Sequence, residues 1–95
     1  KGERNIAIRF SEMEPIENFN LIKSKFDWIW IDTISKFPIN VKNQNNFKRH
    51  KTCLVCPSRW KRKEDILKIK TQLNNLKFNL DFVMTEIEFI KYWTL

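Results

Sequence analysis

Glycine is almost absent from this chain: Gly2 is the only one in 95 residues. That excludes a glycine-rich phosphate loop, and with only three prolines it also excludes a flexible linker. Two cysteines are too few for a disulfide scaffold, so a reducing compartment, the cytoplasm, is the expectation. No apolar run approaches the roughly 18 residues that a membrane span needs. The amino terminus carries no signal-peptide pattern and opens on Lys1-Gly2, which suggests a processed or excised piece. With a single histidine, His50, no Ser-His-Asp arrangement can be assembled at a strand end. No clustered carboxylates offer a cage for magnesium or calcium, and no cofactor is specified by these residues.

Acidic residues are missing from the middle of the chain. Between Asp32 and Glu64 stand nine basic residues and no acid: Lys36, Lys42, Lys48, Arg49, Lys51, Arg59, Lys61, Arg62 and Lys63. They account for much of the net charge of +7. Such an excess attracts phosphate on nucleic acid, a lipid head group or a small substrate, although a solvated surface is the plainer reading. No zinc-finger spacing, aromatic RNA-binding strand or helix-turn-helix accompanies it.

What the sequence does have is a rhythm. Four short apolar runs recur: Asn5 to Phe10, Asp27 to Asp32, Thr52 to Cys56 and Leu80 to Met84. Each is followed by a polar turn and a helix-like stretch, the pattern of βαβ units and hence of a parallel sheet. Ser11 and Glu14 form a capping box with Pro15 at an early helical position, predicting a helix to about Lys23 with Ile16, Phe19 and Ile22 on one side. Trp28 and Trp30 alternate with Ile29 and Ile31, predicting a strand covered on both faces. After a loop over 33–39, Pro38 opens a weak helix through Asn40 to His50, its asparagines lowering helix propensity. Pro57 ends the third strand. Ile66, Ile69, Leu73 and Leu76 then make an apolar helical stripe, with Glu64 and Asp65 in the first turn. A short helical tail runs from Glu86 to Trp93.

His50, Cys53 and Cys56 superficially suggest a metal or redox site. Three ligands are one short of a zinc site, and the two cysteines point to opposite faces of a strand, so buried structural thiols are expected. A second constellation lies where parallel sheets carry their chemistry, at the carboxyl ends of the strands: Arg9, Ser11, Glu12, Asp32, Ser58, Arg59, Thr85 and Glu86. Asp32 shares the parity of Trp28 and Trp30, and Arg9 that of Ala7. Arg9 with Asp32 is therefore the expected ion pair across neighbouring strands, functional or simply structural.

The run Asp81-Phe-Val-Met-Thr85, following Cys53-Leu-Val-Cys56-Pro57, resembles the carboxyl-terminal half of a phospholipase-C-like phosphodiesterase barrel. Glycerophosphodiester phosphodiesterases are the nearest such family, whose last strand typically reads Asp-Gly-Ile-Ile-Thr-Asp. The resemblance covers about the last 70 residues. It implies an α/β fold in which four parallel strands alternate with helices as half of a (β/α)8 barrel; an open three-layer, flavodoxin-like sheet is the alternative. It further implies a phosphodiesterase-like domain for a phosphorylated small molecule or lipid head group, hydrolytic only with its missing half and inactive alone. In that family the catalytic histidines and metal-binding carboxylates come mainly from the first strands, and this sequence has no His-Arg-Gly motif or Glu-x-Asp pair. Cys56-Pro57 also stands where the family has a Thr-Val-Asn-like strand end. Arg9 and Arg59 would hold phosphate, Asp32 would orient Arg9, and Glu12 and Thr85 would shape the substrate site. The half-barrel expectation brings a partner with it, a homodimer or the missing half. From another class comes a non-catalytic basic module docking on nucleic acid or an acidic partner.

Overall fold

A computed structural model describes residues 7–94 of the chain. Its four strands are β1 (Ala7–Phe10), β2 (Trp28–Ile31), β3 (Lys51–Val55) and β4 (Phe82–Met84). They form one sheet in the order β1-β2-β3-β4, every neighbouring pair parallel. The parallel sheet expected from the apolar runs is therefore observed; β1, β2 and β4 are shorter than their runs, β3 is as long as its run but starts one residue earlier, and the β2–β3 connection contains no α-helix. Asn5 and Ile6 of the first run lie outside the described residues.

The register puts alternate residues on opposite faces, and the two faces have different fates. One carries Phe10, Ile29, Ile31 and Leu54, all buried in the core. Helix α1 (Ile16–Ile22) brings Phe19 to this core and helix α2 (Ile66–Leu76) brings Ile69 and Leu73. Phe37, Ile39 and Phe47 come from the β2–β3 connection. Phe10, Phe19 and Phe47 form a triangle of rings with every centroid separation 5.1 Å. The opposite face carries Ala7, Trp28, Trp30, Cys53 and Phe82, which line an open hollow with no helix residue in its wall. The expectation that β2 is covered on both faces is thus corrected: Ile29 and Ile31 are fully buried, Trp28 and Trp30 only partly. Helices on both faces and a reversal of strand order, which the flavodoxin-like alternative needs, are not found among the described residues.

Local chemistry explains the departures from the predicted helices. The weak helix over 40–50 is reduced to a single 3-10 turn, Gln44–Phe47. Asn40 Oδ1 accepts the backbone N–H groups of Lys42 (2.9 Å) and Asn43 (3.0 Å), while Asn43 Oδ1 accepts that of Asn40 (2.8 Å). These side chains offer the backbone partners that compete with a helix. The Ser11–Glu14 pair closes a turn rather than capping α1, because Pro15 is extended (ψ 135°) and the helix starts after it. Ile22 is exposed rather than buried, since α1 gives way to a 3-10 turn at Lys23–Lys25. Glu64 and Asp65 lie in the 3-10 turn Lys63–Asp65 that leads into α2, and the tail is a 3-10 turn, Ile87–Tyr92.

Helix α2 is the most regular element. It ends at Lys77, which takes the left-handed conformation (φ 53°) usually given to glycine. The Phe78 N–H then bonds the Leu73 carbonyl (3.0 Å), and both side chains join the core. Lys61 (φ 64°) ends the 3-10 turn Pro57–Trp60 in the same way. Among the described residues no helix is long and apolar enough to cross a membrane.

Leu54 sits at the centre of this packing with no exposed surface. Leu54→Ala is expected to lower unfolding free energy by about 2–5 kcal/mol, a methyl-lined void replacing the side chain. Leu21→Ala, 78% exposed on α1, should change it by less than ~0.5 kcal/mol. Urea titrations followed by far-ultraviolet circular dichroism check both, and equal effects would contradict this placement of the core.

Candidate functional site

Because every strand runs the same way, the loops after β1, β2, β3 and β4 all emerge at one edge of the sheet. Residues far apart in sequence meet there. Arg9 approaches Asp32 with Nη1 to Oδ2 at 3.9 Å, the limit of ion-pair reach. Its closer partner is Glu14, with Nη2 to Oε2 at 2.7 Å. The expected Arg9–Asp32 neighbourhood is present, but the arginine belongs first to a carboxylate the sequence had assigned to a helix cap. Glu14 is placed by the Ser11 turn, where its Oε1 accepts both the Ser11 N–H (2.7 Å) and hydroxyl (2.6 Å).

Asp32 is nearly buried and held by other donors. Its Oδ1 accepts the Thr33 N–H (2.9 Å) and the Trp60 indole N–H (2.8 Å). Thr33 in turn donates its hydroxyl to the Val55 carbonyl (2.7 Å), tying the ends of β2 and β3 together. The arrangement alters what removal of Asp32 does: Arg9 is about half exposed, so losing Asp32 leaves it solvated rather than stranded in the interior. Sequence reasoning missed Trp60, whose reach to Asp32 depends on the turn after β3. The nearest signal was Pro57, which ends the strand and starts that turn.

Arg59 lies on the same turn and pairs with Glu86 (Nη1 to Oε2, 3.6 Å), while Ser58 donates to Glu86 Oε1 (2.6 Å). Thr85 precedes Glu86 in the chain, and its hydroxyl is buried without a hydrogen-bond partner among the described residues. Glu12 turns away from both arginines. Its Oε2 accepts the Ser35 N–H (2.8 Å) and hydroxyl (2.5 Å), and it acts on Arg9 only through its charge. Arg62 braces the loop after β2, donating from Nη1 to the Thr33 and Ile34 carbonyls, both at 2.8 Å.

His50 lies at the opposite edge, just before β3, with Nε2 3.0 Å from the Lys23 carbonyl. Cys53 and Cys56 are both free and buried, and burial pushes the Cys53 thiol up, outweighing a backbone bond at Met84. Cys56 lies one residue beyond β3, its sulfur near the Ser58 hydroxyl (3.1 Å) and the Trp93 indole nitrogen (3.4 Å). No group of three His, Cys, Asp or Glu side chains placed to hold a metal occurs among the described residues. Searches of protein-family models, curated proteins and solved structures return no match to this chain.

The rim is therefore a set of two arginines already engaged by carboxylates. The hydrogen bond that Arg9 donates to Glu14, with the charge of that carboxylate, raises Arg9 above its ordinary value. Burial pushes Glu14 up, but bonds from Ser11 and Arg9 outweigh it and leave the carboxyl low. Glu12 is likewise low, Ser35 overcoming burial, and Glu86 is lowered first by Ser58. Depressed carboxyls mean that the unfolded chain binds more protons in the acid range. Their stabilisation is complete above the unfolded carboxylate value, about 4.3, and is lost as pH falls through the lower folded values. Urea midpoints measured from about pH 6 down to about pH 3 test this. Glu14→Gln should lie below the parent protein at the upper end and converge with it at the lower; parallel curves would contradict a Glu14 contribution.

Proposed function

We propose that this chain is the carboxyl-terminal half of a phosphodiesterase-like barrel, whose rim engages the phosphate of a small molecule or lipid head group. The observation that carries the reading is the placement of Arg9 and Arg59. Each has a side chain 49% exposed at the carboxyl edge of a parallel sheet, the edge where such folds hold ligands. Planar guanidinium groups match phosphate oxygens in pairs, and both can reach an incoming anion without unfolding any element. Thr85, whose buried hydroxyl has no hydrogen-bond partner among the described residues, is the added polar group proposed just after β4.

The chemistry of phosphodiester cleavage falls to the other half of the ring. His50 stands at the wrong edge to move a proton at the rim. The residues present bind and orient: Arg9 and Arg59 meet the phosphate, Asp32 and Trp60 hold the floor, and Glu14 holds Arg9 until a ligand arrives.

A basic docking module finds less support. Lys36, Arg59, Lys61 and Lys63 follow β2 or β3 at the carboxyl edge, whereas Lys48, Arg49 and Lys51 lie at the amino edge. Charge split between two edges does not line one groove for a nucleic-acid backbone.

Titration with glycerol phosphate, followed by backbone amide shifts, tests the reading. Binding in the millimolar range is expected, with shifts gathered at residues 9–14, 32–35 and 58–60, because carboxylates compete for both arginines. Arg9→Ala should weaken it about tenfold, the loss of one charge-assisted contact. Glu14→Gln should instead tighten it, since the competing carboxylate is gone. No shift at the rim, or weaker binding in Glu14→Gln, would overturn the phosphate role.

A further inference from the structure

We propose that a hollow at the amino edge of the sheet binds a small organic anion, an acidic head group on an apolar body. The site stands apart from the arginine rim at the opposite edge and does not depend on the phosphodiesterase reading.

The topology builds it. β3 and β4 are parallel neighbours, so the segments that lead into them meet at the edge where both strands begin. Before β3 come the turn Gln44–Phe47, Lys48 and His50; before β4 come Lys77, Phe78 and Asn79. Residues of these two segments wall a hollow of about 300 Å³. That size is at the lower end of the range for small-molecule sites.

Apolar surface lies deep in the hollow and charge lies outside. Phe47 is buried and Phe78 partly so, their rings 6.4 Å apart at a steep angle. Lys48 and Lys77 are exposed, and neither ammonium has a hydrogen-bond or ion-pair partner among the described residues. Among the described residues no acid enters the wall. Asp81, the acid nearest in sequence, gives its Oδ2 to the Thr52 N–H (2.8 Å) instead. Lysine carries a point charge with rotatable donors and so takes a carboxylate or a phosphate head alike. A bare inorganic anion would leave the ring surface unused.

His50 adds a polar atom that the chain itself does not satisfy. Its Nε2 lies 3.0 Å from the Lys23 carbonyl, which can only accept, so Nε2 carries the hydrogen and tethers the ring. The other ring nitrogen, Nδ1, is buried with no hydrogen-bond partner among the described residues. Native structures rarely leave a buried polar atom in that state, and a ligand in the hollow that His50 lines is the partner on offer.

The bend at Lys77 makes its charge separable from the fold. A φ of 53° is geometry that glycine adopts freely, so Lys77→Gly removes the ammonium without straining the backbone.

The test titrates the chain with phenylacetate and with phenyl phosphate at about 0.15 M salt, followed by backbone amide shifts. Shifts at residues 44–50 and 77–79 are expected with at least one of them, and the tighter of the two identifies the head group. Uncharged benzyl alcohol should bind at least about tenfold more weakly, having lost both charge contacts. Lys77→Gly should keep or raise the urea midpoint while weakening the tighter acid about threefold, and Lys48→Gln should weaken it similarly. Silent amides in both segments, or shifts confined to residues 9–14, 32–35 and 58–60, overturn the proposal. So does benzyl alcohol binding as well as the acids, or a folded Lys77→Gly with unchanged affinity. Arg9→Ala, which weakens the rim, should leave affinity at the hollow unchanged, so either reading can fail without the other.

Discussion

The fold depends on the burial of one face of its two central strands. Ile29, Ile31 and Leu54 have no solvent exposure, and each is a branched aliphatic side chain at a position where the sheet register stacks neighbours. Parallel pairing obliges every strand to return across the sheet before the next begins. Here those returns pass over the same face, and the apolar strip draws them down onto it. Two returns are helical. The third, between β2 and β3, reaches the core through Phe37, Ile39 and Phe47 without forming more than a turn. The polar rim is a by-product of that economy: a set of loops forced to one edge because the strands all end there.

Much of this architecture was legible in the sequence, and the reasons differ by element. The strands announced themselves through short runs of branched and aromatic residues bounded by turn formers. Helix α2 was readable because Ile66, Ile69 and Leu73 recur at helical spacing and all three are buried. The segment around Asn40 and Asn43 was not, since propensity scales treat asparagine as a weak helix former. The decisive facts are the specific side-chain bonds it makes to nearby backbone. Trp28 and Trp30 misled in a different way. An apolar residue covered by its own chain and one left partly open on the sheet surface look the same in a one-dimensional pattern.

At the rim, parity was enough to bring Arg9 near Asp32, because matched ends of adjacent parallel strands are neighbours. It was not enough to rank the partners. Glu14 holds Arg9 more closely through a turn that a capping-box pattern describes in residue type but not in geometry. Trp60 bonds Asp32 from the next loop along, a contact fixed by where the turn after Pro57 points. Local patterns report which groups are available, and only the assembled loops decide which carboxylate each cation meets.

The two lysines in left-handed conformation have a consequence for how the chain reaches its native state. Lys61 and Lys77 occupy backbone geometry that glycine adopts without strain and that costs other residues about 1 kcal/mol or more. The only glycine in the chain is spent elsewhere, at Gly2. Neither bend is therefore favoured by its own few residues. Each is held by what docks beyond it, most clearly by Phe78 settling into the core after Lys77. Fragments cut at these bends lose the force that keeps them, so β3, α2 and β4 should gain structure together rather than in succession along the chain.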